Sequence, residues 1–181
     1  MADVVLERPA RDRLLELAHV VSAHPVDPPG VSDHSWLHGD AHQVEQRLQR
    51  SLDHCVRHGG AGWILLADRH PVGLITVKVV DGDAETFSFV ATTFQNGGLA
   101  TAARAAVIAL LQGDARVRRV ISTSRPGSAS ARVSQRLGYT YVGRETRTHP
   151  LDGSDVDLDR YELDPARWSR PPGVEHAVFA G

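Results

Sequence analysis

One stretch, Phe94-Gln95-Asn96-Gly97-Gly98-Leu99-Ala100, constrains this chain more than any other. Before it, Glu85 to Ala91 alternates Phe87, Phe89 and Ala91 with Thr86, Ser88 and Val90, the period of a strand. After it, Gly98 to Gln112 is alanine-rich and carries Leu99, Ala103, Ala106, Val107, Leu110 and Leu111 along one side, the pattern of an amphipathic helix. The stretch is therefore a strand–loop–helix joint with two glycines where the backbone turns. Glycine admits φ > 0 and lets a ligand approach the main chain closely. A helix N-terminus adds free N–H groups and the positive end of the helix dipole, which together suit a pyrophosphate. The spacing is neither that of a Walker loop nor that of Gly-x-Gly-x-x-Gly. A plain structural turn uses the same glycines, so the loop alone leaves both readings open.

The remaining segments set the architecture around this joint. Val4-Val5-Leu6 reads as a short strand and Arg11 to His24 as a helix with Leu14, Leu15, Leu17, Ala18 and Val21 on its apolar stripe. Pro25 to His38, with Pro25, Pro28, Pro29 and Gly30, is a loop. A second helix runs from an Asp40 N-cap to His58 and stops at Gly59-Gly60. Strands follow at Trp63 to Ala67 and Val72 to Val80, and Asp81-Gly82-Asp83 is a hairpin turn into the strand at Glu85. Downstream, Val117 to Thr123 is a strand, Ser128 to Leu137 a helix, and Tyr139 to Arg147 and Asp157 to Leu163 two more strands. The order βααβββαβαββ is mixed α/β (α+β) without the regular alternation of a doubly wound sheet. Residues 1–168 form a single domain and 169–181 a C-terminal tail, packed on it or hanging off it.

Composition removes several function classes. At 181 residues the chain suits one domain rather than two. A formal net charge of -2 gives no basic field for nucleic acid, so no DNA partner is expected. Cys55 is the only cysteine, which excludes an internal disulfide and a cysteine metal site; a reactive thiol is open there, but its helical spacing from Leu52 favours a small buried hydrophobe. His38/His42 and His54/His58 share helix faces at i, i+4, but no third ligand stands at a diagnostic spacing, so they read as surface histidines and no metal is expected. There is no secretory signal and no run of about 20 apolar residues, so no membrane partner is expected and the cytoplasm is the default location.

Two motifs in order carry a family resemblance. Gln95-x-x-Gly98-x-Ala100 matches the acyl-CoA loop of the GCN5-related N-acetyltransferase (GNAT) superfamily, between the right strand and helix. Ser130-Ala131-Arg132-Val133-Ser134-Gln135-Arg136-Leu137-Gly138-Tyr139, followed by Val142-Gly143, is similar to the family's Ser-x-x-x-x-x-x-Leu-Gly-Phe helix and next strand. Asp159-Arg160-Tyr161-Glu162-Leu163 with Trp168 resembles the closing strand and tryptophan of the branch that acetylates ribosomal-protein N-termini. The resemblance covers about residues 60 to 168, and more loosely the two N-terminal helices. It implies a central twisted mixed sheet of about six to seven strands, splayed near residues 89 to 92 and flanked by helices.

It also implies a chemistry: transfer of an acetyl group from the co-substrate acetyl-CoA to a primary amine by direct attack. Backbone N–H groups of Asn96, Gly97, Gly98, Leu99 and Ala100, with Gln95 and Ser130 alongside, then hold the CoA. Phe89, Val90 and Ala91 pair with the pantetheine arm, and the Val90 N–H or a neighbour's stabilises the tetrahedral oxyanion. Glu85 matches the acidic residue at the start of this strand and is the candidate general base, though a solvated residue beside the turn is the plainer reading. The acceptor is a peptide or small-molecule amine, and its wall is assigned to His34 and Trp36 in the Pro25–His38 loop and to Asp155. Trp36 serves equally as a packing residue. The resemblance leaves a homodimer open.

Two positions depart from the family pattern. Gly127 stands where an Asn is common, and Ser134 stands where many members place a Tyr general acid, so the leaving thiolate has no evident proton donor. Those departures support the competing reading, a catalytically weak CoA-binding or regulatory module. A third reading, an acyltransferase on a biosynthetic or aminoacyl-tRNA-linked intermediate, has only arginines such as Arg116, Arg118 and Arg119 behind it.

Overall fold

A computed structural model describes residues 4–24, 37–148 and 155–180. The elements are β1 (Val4–Glu7), α1 (Arg11–Ala23), α2 (Ala41–Arg57), β2 (Ala61–Ala67), β3 (His70–Val80), β4 (Asp83–Val90), α3 (Leu99–Leu111), β5 (Arg119–Ser124), α4 (Ala129–Arg136), β6 (Thr140–Thr148), β7 (Asp155–Leu163) and β8 (Ala177–Phe179). The strands form one sheet in the order β6-β7-β5-β4-β3-β2-β1-β8. It is mixed: β4–β5 and β1–β8 are parallel pairs and the remaining pairs antiparallel. This is the splayed, helix-flanked sheet expected from sequence, with eight strands where about six to seven were expected.

The extra strand is β8, in the segment read as a tail. Ala177–Phe179 pairs with β1, the Ala180 N–H donates to the Leu6 carbonyl at 2.9 Å, and Phe179 meets Trp63 edge-on at 5.5 Å between ring centroids. Its three residues are too short for a period-2 signal, and β1's free edge organises them.

Helices cover both faces, which is why β2 and β3 read as near-continuous apolar runs. One core joins α1 and α2 to Ile64, Leu66, Leu74 and Phe89; the other joins α3 to Trp63, Leu65, Val90 and Leu137. α3 is not the amphipathic helix its sequence suggests. Thr101, Ala102, Arg104, Ala105 and Ile108 are buried as well, and Leu110, assigned to the apolar side, is 48% exposed. Small alanines let the sheet approach α3 on one side and α4 with the Trp168 segment on the other, so burial follows packing partners rather than one stripe.

Local signals fix the elements around the site. Asp40 caps α2, its side chain accepting from the Gln43 N–H at 2.9 Å while the Gln43 side chain accepts from the Asp40 N–H, a capping box. Asp40→Ala is expected to lower stability by about 1 kcal/mol in chemical denaturation. Asp81 (φ 51°) and Gly82 (φ 86°) link β3 to β4 by a two-residue loop with both φ positive, the primed turn that matches strand twist. That turn sets which β4 side chains face which helices. Ser88 and Val90 look toward α3; Phe87 and Phe89 look toward α1 and α2.

Candidate active site

The sheet opens beside β4. β4 and β5 pair only through Asp83↔Arg119, Ala84↔Val120 and Glu85↔Ile121, and then part. The gap thus begins at Thr86, further back along β4 than residues 89 to 92. The Thr86 hydroxyl, donating to the Ile121 carbonyl at 3.2 Å, closes its narrow end. At its wide end the Ala91 N–H donates to the Val72 carbonyl on β3 at 2.8 Å. Strand alternation then turns Phe89 and Ala91 toward β3 and directs the Val90 N–H into the gap. The Val90 carbonyl is held separately, by the Gln95 side-chain amide at 2.9 Å.

From this strand end the chain makes one 3₁₀ turn, Thr92–Phe94, and enters α3 through Asn96 (φ 65°) and Gly98 (φ 79°). No side chain caps α3, whose first intrahelical bond runs from the Ala102 N–H to the Gly98 carbonyl at 2.9 Å. The N–H groups of Leu99, Ala100 and Thr101 therefore have no acceptor within the helix. A Cβ built on Gly98 meets nothing within 4 Å, so that face of the loop borders open space. Gln95, Asn96, Gly98, Leu99, Ala100 and Ser130 share the wall of one cleft of about 790 Å³ with Phe89 and Val90. Gly97 borders a smaller adjoining cavity, and Ala91 is buried beneath the loop. Arg125, Arg132 and Arg136 complete the cleft on the β5–α4 side and give it a cationic mouth suited to phosphates. Sequence reading missed these three because an arginine just after a strand and two on a short polar helix look like ordinary surface.

It also missed Arg104. This side chain lines the cleft yet is only 1% exposed, in the middle of α3. The one sequence signal was a lone charge inside an otherwise apolar helix. Ser134, the residue at the family's tyrosine position, is fully buried and accepts a hydrogen bond from Arg104. Gly127 lines the cleft with φ 71°, and a side chain there would enter open space. Tyr139 is core, 6% exposed, and burial pushes its hydroxyl pKa up.

Glu85 lies on the other face of β4, the α1/α2 face. Its carboxylate holds Lys78 Nζ at 2.8 Å and Arg147 at 2.8 Å. Burial alone pushes its pKa up, but hydrogen bonds and charge from Lys78 and Arg147 outweigh burial and hold it below the usual carboxylate value. Asp155 is exposed at the start of β7, opposite Thr148. His34 and Trp36 lie outside the described residues.

Elsewhere, Cys55 is buried, and burial pushes its thiol pKa up. Among the described residues no group of three or more His, Cys, Asp or Glu converges on a metal position, and no helix is long and apolar enough to cross a membrane.

A family model described as an acetyltransferase (GNAT) domain matches residues 7–140. No curated protein matches the chain. Solved structures similar to it include RimJ of Mycobacterium smegmatis in complex with CoA-disulfide, 22% identical over 90% of this chain and 85% of that one, TM-score 0.70. The microcin C7 self-immunity acetyltransferase MccE, in complex with acetyl-CoA and AMP, is 14% identical over 90% and 92% of the two chains, TM-score 0.72. A Salmonella typhimurium acetyltransferase that modifies the N-terminal serine of ribosomal protein L7/L12 is 15% identical over 88% and 93%, TM-score 0.70. At these identities the likeness is one of fold.

Proposed function

This chain belongs to the GNAT family of acetyltransferases, and from that membership we propose that it moves the acetyl group of acetyl-CoA to the α-amino group of a peptide N-terminus. The observation that carries the reading is the gap beside β4, which runs without interruption into the uncapped N-terminus of α3. A pyrophosphate at Asn96 to Ala100 leaves the pantetheine arm to extend along β4 as an added strand, its thioester innermost. The Val90 N–H is the donor that reaches an oxyanion there. A peptide acceptor is favoured by the Salmonella typhimurium neighbour that modifies the N-terminal serine of ribosomal protein L7/L12.

The two faces of β4 divide the work. Donor groups lie on the α3/α4 face, and the acceptor approaches from the α1/α2 face, where Glu85 sits beside the start of the gap. His34, Trp36 and Asp155 belong to the proposed acceptor wall. A carboxylate held by two cations is a weak base, so Glu85 takes up the amine's proton only in passing to solvent, and the amine's own titration sets the pH dependence. Between about pH 5 and 9, kcat/KM for the amine is expected to rise with the free-amine fraction and to show no limb from Glu85. An acid limb near neutrality that vanishes in Glu85→Gln would reverse this assignment. The same depressed pKa makes the Glu85 pairing stabilising above the unfolded carboxyl's value of about 4.3 and lost as pH falls through the folded value.

The test is release of CoA thiol from acetyl-CoA in the presence of peptides with free N-termini and, separately, small-molecule amines, with mass spectrometry of the product. Acetylation of peptides alone is the expected outcome. Acetylation of small amines alone favours a small-molecule acceptor. CoA binding with no transfer to either class favours a binding module.

A further inference from the structure

Arg104 is a buried cation with no anion among the described residues. One Nη donates to Ser122 and Ser134, both at 3.1 Å, and the other to Ser88 at 2.9 Å and Ser130 at 3.3 Å. The fifth donor of the guanidinium, its Nε–H, is buried without an acceptor. No carboxylate among the described residues pairs with it, and Tyr139 is the one titratable neighbour acting on it. Hydroxyls solvate a cation but do not neutralise it, and an uncompensated buried charge is among the most costly features a fold can keep. The position of this one is informative. It ties Ser88 on β4 to Ser122 on β5 just beyond the point where those strands part, with Ser130 and Ser134 of α4 behind it. It therefore sits at the inner end of the gap, two residues or about 7 Å of strand inward of Val90.

We propose that Arg104 is a catalytic residue that stabilises the CoA thiolate as it leaves. This rests on the acetyl-transfer reading above. The amine nitrogen attacks the thioester carbonyl carbon, and the carbonyl electrons move to oxygen beside Val90. Collapse of that intermediate breaks the C–S bond, whose electron pair goes to sulfur, while the nitrogen's proton leaves on the Glu85 face to solvent. Sulfur departs as the thiolate, stabilised by the positive charge of the guanidinium, whose Nη–H bonds stay with the serines, and takes a proton from water on release. The thioester is neutral in the ground state, so the cation gains its partner only as charge develops on sulfur, and the interaction is spent on the transition state. The same arrangement explains the absence of a tyrosine at 134: Ser134 holds the cation that replaces the acid. Tyr139, buried beside the guanidinium, does not line the cleft.

The experiment is an ultraviolet titration of the thiol of CoA bound to the protein, with the desulfo-CoA complex as blank. The wild-type complex is expected to titrate at least about one unit below free CoA measured in the same buffer. Arg104→Gln, which still fills the serine cage, and Arg104→Met both return the bound thiol to the free value or above. Their kcat falls by about 10²–10³, with little change in KM for acetyl-CoA. An arenethiol thioester, whose thiolate needs no such help, narrows that difference. Tyr139→Phe leaves the titration unchanged. Identical titrations in wild type and Arg104→Gln would overturn the proposal. So would loss of the shift in Tyr139→Phe, or a preference for succinyl-CoA over acetyl-CoA that disappears in Arg104→Gln, which would assign the cation to an acyl carboxylate. Failure of wild type to bind CoA at all would instead sink the acetyl-transfer reading, and this proposal with it.

Discussion

Gly98→Trp is expected to abolish CoA binding in calorimetry while the protein stays folded. Gly98 has φ 79° and closes the loop in front of α3, and a Cβ there meets no atom within 4 Å. The substitution has room, but the room is the cleft itself. An indole projecting there covers the N–H groups of Leu99, Ala100 and Thr101 and removes the close approach that a pyrophosphate requires. The backbone strain of a non-glycine residue in the left-handed region is about 1–2 kcal/mol. A domain with two cores that cover both sheet faces tolerates that loss. Gly97→Ala is the matched control. Gly97 does not need a positive φ, and its Cβ lies 3.9 Å from its nearest neighbour, the Phe94 carbonyl oxygen, so binding should change little. Normal CoA binding by Gly98→Trp would move the pyrophosphate away from this loop.

What the sequence revealed, and what it hid, divides along a physical line. The loop from Gln95 to Ala100 was legible because its demands are local: positive φ, an uncapped helix start, a strand before and a helix after. The Asp40 cap and the Asp81-Gly82 turn were legible for the same reason. Arg104 was not, because its meaning depends on four serines drawn from β4, β5 and α4, between 16 and 30 residues away along the chain. Nothing at the sequence level says that those hydroxyls converge. Glu85 was legible as a carboxylate at the right strand position but not in its basicity, since Lys78 comes from the neighbouring strand and Arg147 from β6. β8 was hidden for a third reason: a three-residue strand has no period of its own and exists because β1 offers an edge. Local backbone chemistry reads directly from sequence, whereas a side chain's electrostatic role is a property of the assembled sheet.

The second large effect concerns Val90. Replacing the Val90 peptide N–H by an ester oxygen is expected to lower kcat by about 10²–10³ with donor binding nearly intact. The reasoning starts from the ladder. The Ala91 N–H bonds to Val72, so alternation leaves the Val90 N–H outside the β3–β4 hydrogen bonds, facing the gap. The ester therefore removes no N–H from the β3–β4 ladder; it only weakens the Phe89 carbonyl as an acceptor there, so its stability cost is below that of a lost hydrogen bond. The Val90 side chain, 6% exposed and part of the α3-side core, is unchanged. Nor does the ester loosen the loop, because the Gln95 amide bonds to the Val90 carbonyl rather than to its N–H. In the ground state the N–H meets a weakly basic thioester oxygen; in the tetrahedral intermediate it meets a full oxyanion, so its loss falls on kcat rather than on the KM for acetyl-CoA. The same ester at Phe89, whose N–H faces β3, provides the contrast: it should cost stability as a lost ladder bond and change kcat far less. Equal losses of kcat at both positions would mean that the backbone here serves only to shape the sheet, and that the oxyanion is stabilised elsewhere.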